Sequence, residues 1–204
     1  HAAQFVAQHL GENNPEIDMK KGSDLSFLTP SVAIVNGPST YGEEVGDRIV
    51  LGLFLSLNAL AEGKQDLKFI AHSRGAPEAS LITHELDRIK EELAANPQKS
   101  IYDILLDTPC KKYTQPSIKK FFRPNDILEG DAGKILSQRL EKFKLSLFLV
   151  DQVAGASKLG SRWIDKRFYK KVPCDKIEQI ILRDERTGFF EPIILADVEP
   201  VILP

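Results

Sequence analysis

Leu67-Lys68-Phe69-Ile70-Ala71-His72-Ser73-Arg74-Gly75-Ala76-Pro77-Glu78-Ala79-Ser80-Leu81 decides how this chain is read. A run carrying a β-branched and an aromatic residue passes into Ala-His-Ser-Arg-Gly, and a helix-forming run starts at once. The order is strand, sharp turn, helix. A turn this tight is expected to admit only small residues two before and two after its tip, here Ala71 and Gly75, with Ser73 at the tip. In a nucleophile elbow the serine backbone is strained, so Oγ stands clear of the sheet edge and the helix N-terminus faces a developing oxyanion. An ordinary strand-to-helix turn capped by a serine fits the same five residues, so the flanking sequence has to decide.

Upstream, Ser31 to Val35 is a short apolar β run that stops at the turn formers Asn36-Gly37-Pro38-Ser39-Thr40. Thr40 with Glu43 resembles a capping box, and the helix it opens is apolar on almost every side from Ile49 to Leu60 before Gly63 ends it. Strand, buried helix, strand predicts two parallel strands with a right-handed crossover. Further back, His1 to Leu10 reads as a helix remnant with Phe5, Val6 and Leu10 on one side, and Gly11 to Asp24 as a loop.

Downstream, Leu81, Leu86, Ile89 and Leu93 carry the helix to about Ala95, with Pro77 harmless in its first turn. Ser100 to Asp107 fits strand or helix, and Ile135 to Phe143 a helix. Leu145 to Val150 reads as a strand buried on both faces, ending at Asp151, where open α/β sheets collect ligands. Gln152 to Pro173 is loop-like, Asp175 to Leu182 is predicted helical, and Glu199 to Pro204 begins one more strand. The sum is an α/β fold, a mainly parallel sheet flanked by helices on both faces, in a single domain over 1–204.

At 204 residues, 42% hydrophobic and 27% charged, the chain can bury a full core. A net charge of -2 gives no global attraction to nucleic acid or membrane. Cys110 and Cys174 form no C-x-x-C pair, so neither zinc nor a disulfide framework is expected; free thiols are the simplest reading, with one bridge left open. No apolar run is long enough to span a bilayer. Starting at His1, with Met19 the only methionine, the sequence reads as a piece of a longer protein.

An activated serine needs a base, and the base an orienting acid, in the chain order Ser, Asp or Glu, His. Asp151 fits the second place; none of His1, His9, His72 and His84 follows it. His72 abuts the serine and its side chain is expected to point away from Oγ, while His84 lies roughly 16 Å along the helix axis. The base therefore lies beyond Pro204, or the domain hydrolyses nothing. Two basic aromatic clusters stand apart from this set. Residues 111–123 hold Lys111, Lys112, Lys119, Lys120 and Arg123 among Tyr113, Phe121 and Phe122, and residues 162–171 hold Arg162, Trp163, Lys166, Arg167, Phe168, Tyr169, Lys170 and Lys171. They suit an anionic membrane surface, or equally solvated loops with rings turned inward. Gly130-Asp131-Ala132-Gly133-Lys134 lacks the first Gly and the Ser or Thr of a phosphate loop, which removes nucleotide binding.

Ala71-His72-Ser73-Arg74-Gly75-Ala76 resembles the Gly-x-Ser-Arg-Gly-Ala elbow of the α/β-hydrolase domain in the phospholipase effectors of the bacterial type VI secretion system and their uncharacterised relatives. Leu147 to Ala154 is similar to that family's apolar strand ending in Asp-Thr-Val, and Ile181 to Arg186 with Phe189, Phe190 and Pro192 to its later Asp-Glu-Arg segment. Asn36 to Thr40 is similar to a Gly-rich turn one strand before the elbow. Three positions depart: Ala71 replaces Gly, Gln152 stands where the family has Thr, and Gln179 where it often has His. The resemblance implies a serine ester hydrolase acting on lipid or phospholipid esters without a cofactor. Ser73 is its nucleophile, Asp151 orients a histidine the family carries after a further strand, and the N–H groups of Arg74 and the Gly37 turn receive the oxyanion. The Arg74 guanidinium would pair with an acid on a neighbouring loop or with a substrate phosphate. A secreted or translocated bacterial effector is the implied setting, and a non-catalytic hydrolase-like domain that binds a protein partner is the competing class.

Overall fold

The computed structural model describes residues 25–28, 31–37, 44–109, 111–122, 131–153, 166–182 and 192–203. Strands β1 (Leu25–Leu28) and β2 (Ala33–Val35) pair antiparallel as a small separate sheet. Helix α1 (Val45–Ala61) follows, then β3 (Asp66–His72) and α2 (Gly75–Ala95). Three helices come next: α3 (Ile101–Leu106), α4 (Lys111–Phe121) and α5 (Asp131–Lys142). The chain then adds β4 (Lys144–Val150), a single 3₁₀ turn at Arg167–Tyr169, β5 (Lys176–Leu182) and β6 (Val201–Leu203). β3, β4, β5 and β6 form a four-stranded, wholly parallel sheet in that order. The chain is an α/β protein with helices packed on a parallel sheet.

Helix α1 is apolar nearly all round because it is wedged among α2, α4 and α5. Its Gly52 lies against Ile82 of α2, and Phe54 meets Phe122 edge-on at 5.2 Å between ring centroids. The last turn of α1 exposes carbonyls that no helical N–H can reach. Arg139 of α5 donates to two of them, Leu60 O (2.9 Å) and Ala61 O, and Gly63 then turns the chain at φ +98°. Ser100 settles the 100–107 ambiguity in favour of helix: its hydroxyl accepts the Asp103 N–H at 3.1 Å, an N-cap that a strand would not use. α2 carries Leu86 and Ile89, both fully buried, into one core shared by α1 to α5 and the inward residues of β3 and β4. Truncating such a leucine to alanine costs about 2–5 kcal/mol.

Three expectations change. Residues 175–182 form strand β5 and not a helix. Asp175 pins its start, its carboxylate accepting the Leu145 N–H (2.7 Å) and its N–H bonding Leu145 O (2.9 Å), and from there Ile177, Gln179 and Ile181 alternate toward the packed face. The strand at 33–35 pairs with β1 instead of joining β3 in parallel, so α1 is no crossover within the main sheet. The two sheet faces, both expected to be covered by helices, are unequally buried. Leu67, Leu145, Leu147 and Leu149 are buried on one, whereas on the other Lys68, Ile70 and His72 are exposed and Ser146, Phe148 and Val150 half-buried.

Candidate active site

β3 and β4 run in register up to His72 opposite Val150, and both chains then leave the sheet at its carboxyl end. Ser73 continues the ladder by one bond, donating its N–H to Val150 O at 2.9 Å. Its carbonyl then serves both sides of the turn, accepting Ala76 N–H (3.2 Å) from α2 and Val153 N–H (3.3 Å) from the segment after β4. These bonds hold Ser73 at φ 55°, in the left-handed region that a non-glycine residue enters at a cost of about 1–3 kcal/mol. That is the strained tip expected of an elbow. At Gly75 an added Cβ meets nothing within 4 Å, so the position has room for alanine as well as glycine.

Asp151 occupies the matching place on β4. Its N–H donates to Ile180 O of β5 at 2.7 Å, it lies at φ 54°, and it is 1% exposed. Ser73 is bonded to Val150 on one side of Asp151 and to Val153 on the other, so the two residues adjoin across the ladder on one rim. Only three non-glycine residues have positive φ among the described residues: Ser73, Asp151 and Asp197. Two of the three are the residues singled out by sequence, and Asp197 sits in an exposed turn.

Behind Asp151 lies a polar network that the sequence did not reveal. Gln152 and Gln179 are both buried, and Gln179 Nε2 donates to Gln152 Oε1 (3.3 Å) and to Ile193 O (2.5 Å). Gln179 Oε1 accepts the Leu195 N–H at 3.3 Å, and Gln152 O accepts the Ile193 N–H at 2.7 Å. Val153 bridges to Pro192, extending the same contact. Both glutamines were visible as polar residues among apolar neighbours. That they meet follows only from the register of β4 and β5, which sets Leu149 opposite Gln179.

On the far side of the elbow, Glu78 in the first turn of α2 is buried. Burial pushes its carboxyl well above the usual range, opposed by Arg48 and Arg74 and assisted by Glu44. Arg74, half-buried at the N-cap of α2, is near enough for its charge to favour the ionised form of Glu78. His72 is exposed as the last residue of β3, next to Ser73 in the chain, and His84 lies along α2. Gly37 follows β2, is exposed, and has open space where a side chain would stand. Residues 38–43, the rest of the expected oxyanion turn, lie outside the described residues.

The basic clusters divide. In the first, Lys120 pairs with Asp47 (2.7 Å), Ser117 bonds the same carboxylate, and Phe122 turns into the core, while Lys119 is exposed. In the second, Arg167 bonds Glu85 at 2.5 Å, a buried carboxylate also held by Arg88 and Thr108. Tyr169 is exposed under Lys166, with Lys170 and Lys171 in solvent beside it. Cys110 and residues 123–130, 154–165 and 183–191 are outside the described residues. Cys174 is a free thiol whose pKa burial and then Asp175 raise, which keeps it protonated at neutral pH. Among the described residues no three His, Cys, Asp or Glu side chains are grouped to hold a metal, and no helix is long and apolar enough to cross a membrane. No protein-family model, curated protein or solved structure matches this chain.

Proposed function

We propose that this chain is an α/β-hydrolase-type serine ester hydrolase, akin to the type VI secretion phospholipase effectors and acting on lipid or phospholipid esters. One observation carries the proposal: a serine and an aspartate, each at positive φ, adjoin at the carboxyl ends of neighbouring parallel strands. Ser73 Oγ attacks the ester carbonyl, giving up its proton to an imidazole that Asp151 orients. The tetrahedral oxyanion is received by backbone N–H groups at Arg74 and the Gly37 turn, and the alcohol leaves with the proton. Water then repeats the sequence on the acyl-enzyme. The resemblance gives that imidazole to a histidine after Asp151, and none of the four histidines of this sequence stands there. Lys119, Lys166, Lys170 and Lys171, all exposed, suit the surface to anionic lipid; equal sedimentation with neutral and anionic vesicles would remove that part.

The second reading, a hydrolase-like scaffold that binds a protein partner, draws support from the order of the histidines, since none of the four in this sequence follows Asp151. A fluorophosphonate probe applied to the longer parent protein separates the two. Covalent labelling lost in Ser73→Ala supports the hydrolase. A wild-type protein that folds and takes no label is the scaffold.

A further inference from the structure

We infer that Gln179 is a positioning residue, whose amide, through Gln152 and the 193–195 segment, holds Asp151 in its left-handed conformation on the rim. The inference rests on the Ser73–Asp151 site proposed above and assigns a role to the two glutamines that depart from the family pattern.

The turn after β4 is strained and has to be held. A non-glycine residue at φ 54° persists only when its surroundings over-determine it, and here they act from three sides. β5 takes the Asp151 N–H through Ile180 O, and β3 takes the Val153 N–H through Ser73 O. The third side is the 192–195 segment, which binds Gln152 through the Ile193 N–H. Gln179 fastens that third side to the sheet. Its one amide reaches Gln152 Oε1, Ile193 O and Leu195 N–H, and so ties β5, the Asp151 turn and the returning segment together.

The amide orientation is not interchangeable. Nε2 faces two oxygens and Oε1 faces an N–H, so a flipped amide would set oxygen against oxygen twice. Gln179 is 1% exposed and Gln152 0%, so water cannot substitute for a lost bond without entering the core. An apolar residue of the same shape would fill the space equally well. What it would lose is the tie from β5 to Gln152 and to the segment that braces the Asp151 turn.

Gln179→Met in the parent protein tests this, because it keeps the volume and removes all three bonds. Two readouts are taken at a temperature where the variant is folded. The first is hydrogen exchange at the Asp151 and Val153 amides, expected to speed up in the variant. The second is the rate of fluorophosphonate labelling at Ser73, expected to fall about 10²-fold from a misplaced acid. Ile89→Val, a core truncation in α2 remote from Gln179 in the chain, serves as the control and should leave labelling unchanged. If Gln179→Met does not fold, Gln152→Met, which removes only the bond from Gln179 Nε2, takes its place. Exchange at Asp151 and Val153 that matches wild type, or labelling that matches Ile89→Val, overturns the inference. Should the wild type fail to react, the hydrolase proposal falls alone, and the exchange rates still decide whether Gln179 holds the turn.

Discussion

The two ends of β3 solve the same backbone problem differently. At the amino end, after α1, the chain must turn through a positive φ, and it does so at Gly63 with φ +98°. Nothing is strained there, because glycine has no Cβ to oppose the conformation, and Arg139 bonds the carbonyls left at the helix end. At the carboxyl end the chain turns through φ 55°, but the residue is Ser73, with Asp151 in the same conformation one strand away. Glycine would serve both places at lower cost. Two side chains held against such strain on one rim are what the proposed function accounts for.

The comparison breaks first on Ser73→Ala in the parent protein. Labelling by a fluorophosphonate should vanish while the circular dichroism spectrum is unchanged, and a label that survives removes Ser73 from its role. Asp151→Asn comes next, with a fall in kcat of about 10⁴-fold, since the amide favours the wrong imidazole tautomer. Stability then sharpens the contrast between the ends. Ser73→Gly should raise stability by about 1 kcal/mol and Gly63→Ala lower it by a similar amount, read as opposite shifts in Tm. Shifts of the same sign would mean that the two turns do not differ in strain.

Glu78 supplies a smaller, pH-dependent effect. Unfolded, it ionises in the ordinary carboxylate range; folded, burial keeps it protonated to higher pH. The native state therefore binds the extra proton, and stability falls as pH rises from the ordinary carboxylate range toward the raised value. Glu78→Gln should remove that part of the decline in Tm that sets in as pH rises above the ordinary carboxylate range. The smallest effect is expected of Gly75→Ala, which should add a few tenths of a kcal/mol, because the site has open space and alanine is the better helix former. A large loss would show that the elbow needs its glycine after all.

The elbow and β4 were legible because local sequence dictates them. A β run, a turn and a helix follow one another within 66–95, and six apolar or small residues precede Asp151. β5 was not legible, because Lys176-Ile177-Glu178-Gln179-Ile180-Ile181-Leu182 satisfies helical and alternating patterns alike. Its fate depends on Asp175 pairing with Leu145, a contact between distant residues. The meeting of Gln152 with Gln179 was hidden for the same reason, since a strand register is a property of two segments. The unequal burial of the two sheet faces was hidden as well, because apolar composition in β4 cannot say from which side helices arrive. Of the site, sequence named Ser73 and Asp151 and missed the glutamines that brace the latter.

Ser73 receives its N–H acceptor from Val150, far along the chain, and Asp151 finds its own on β5. Neither residue is held in its bent backbone until the non-local strands have docked, so a nascent chain with α1, α2 and β3 already formed would still lack the proposed site. The same dependence runs in reverse on heating. A slight parting of β4 from its neighbours dissolves the Ser73–Asp151 arrangement while the helices stay intact, so if the proposed activity holds, its loss should precede the loss of helical signal.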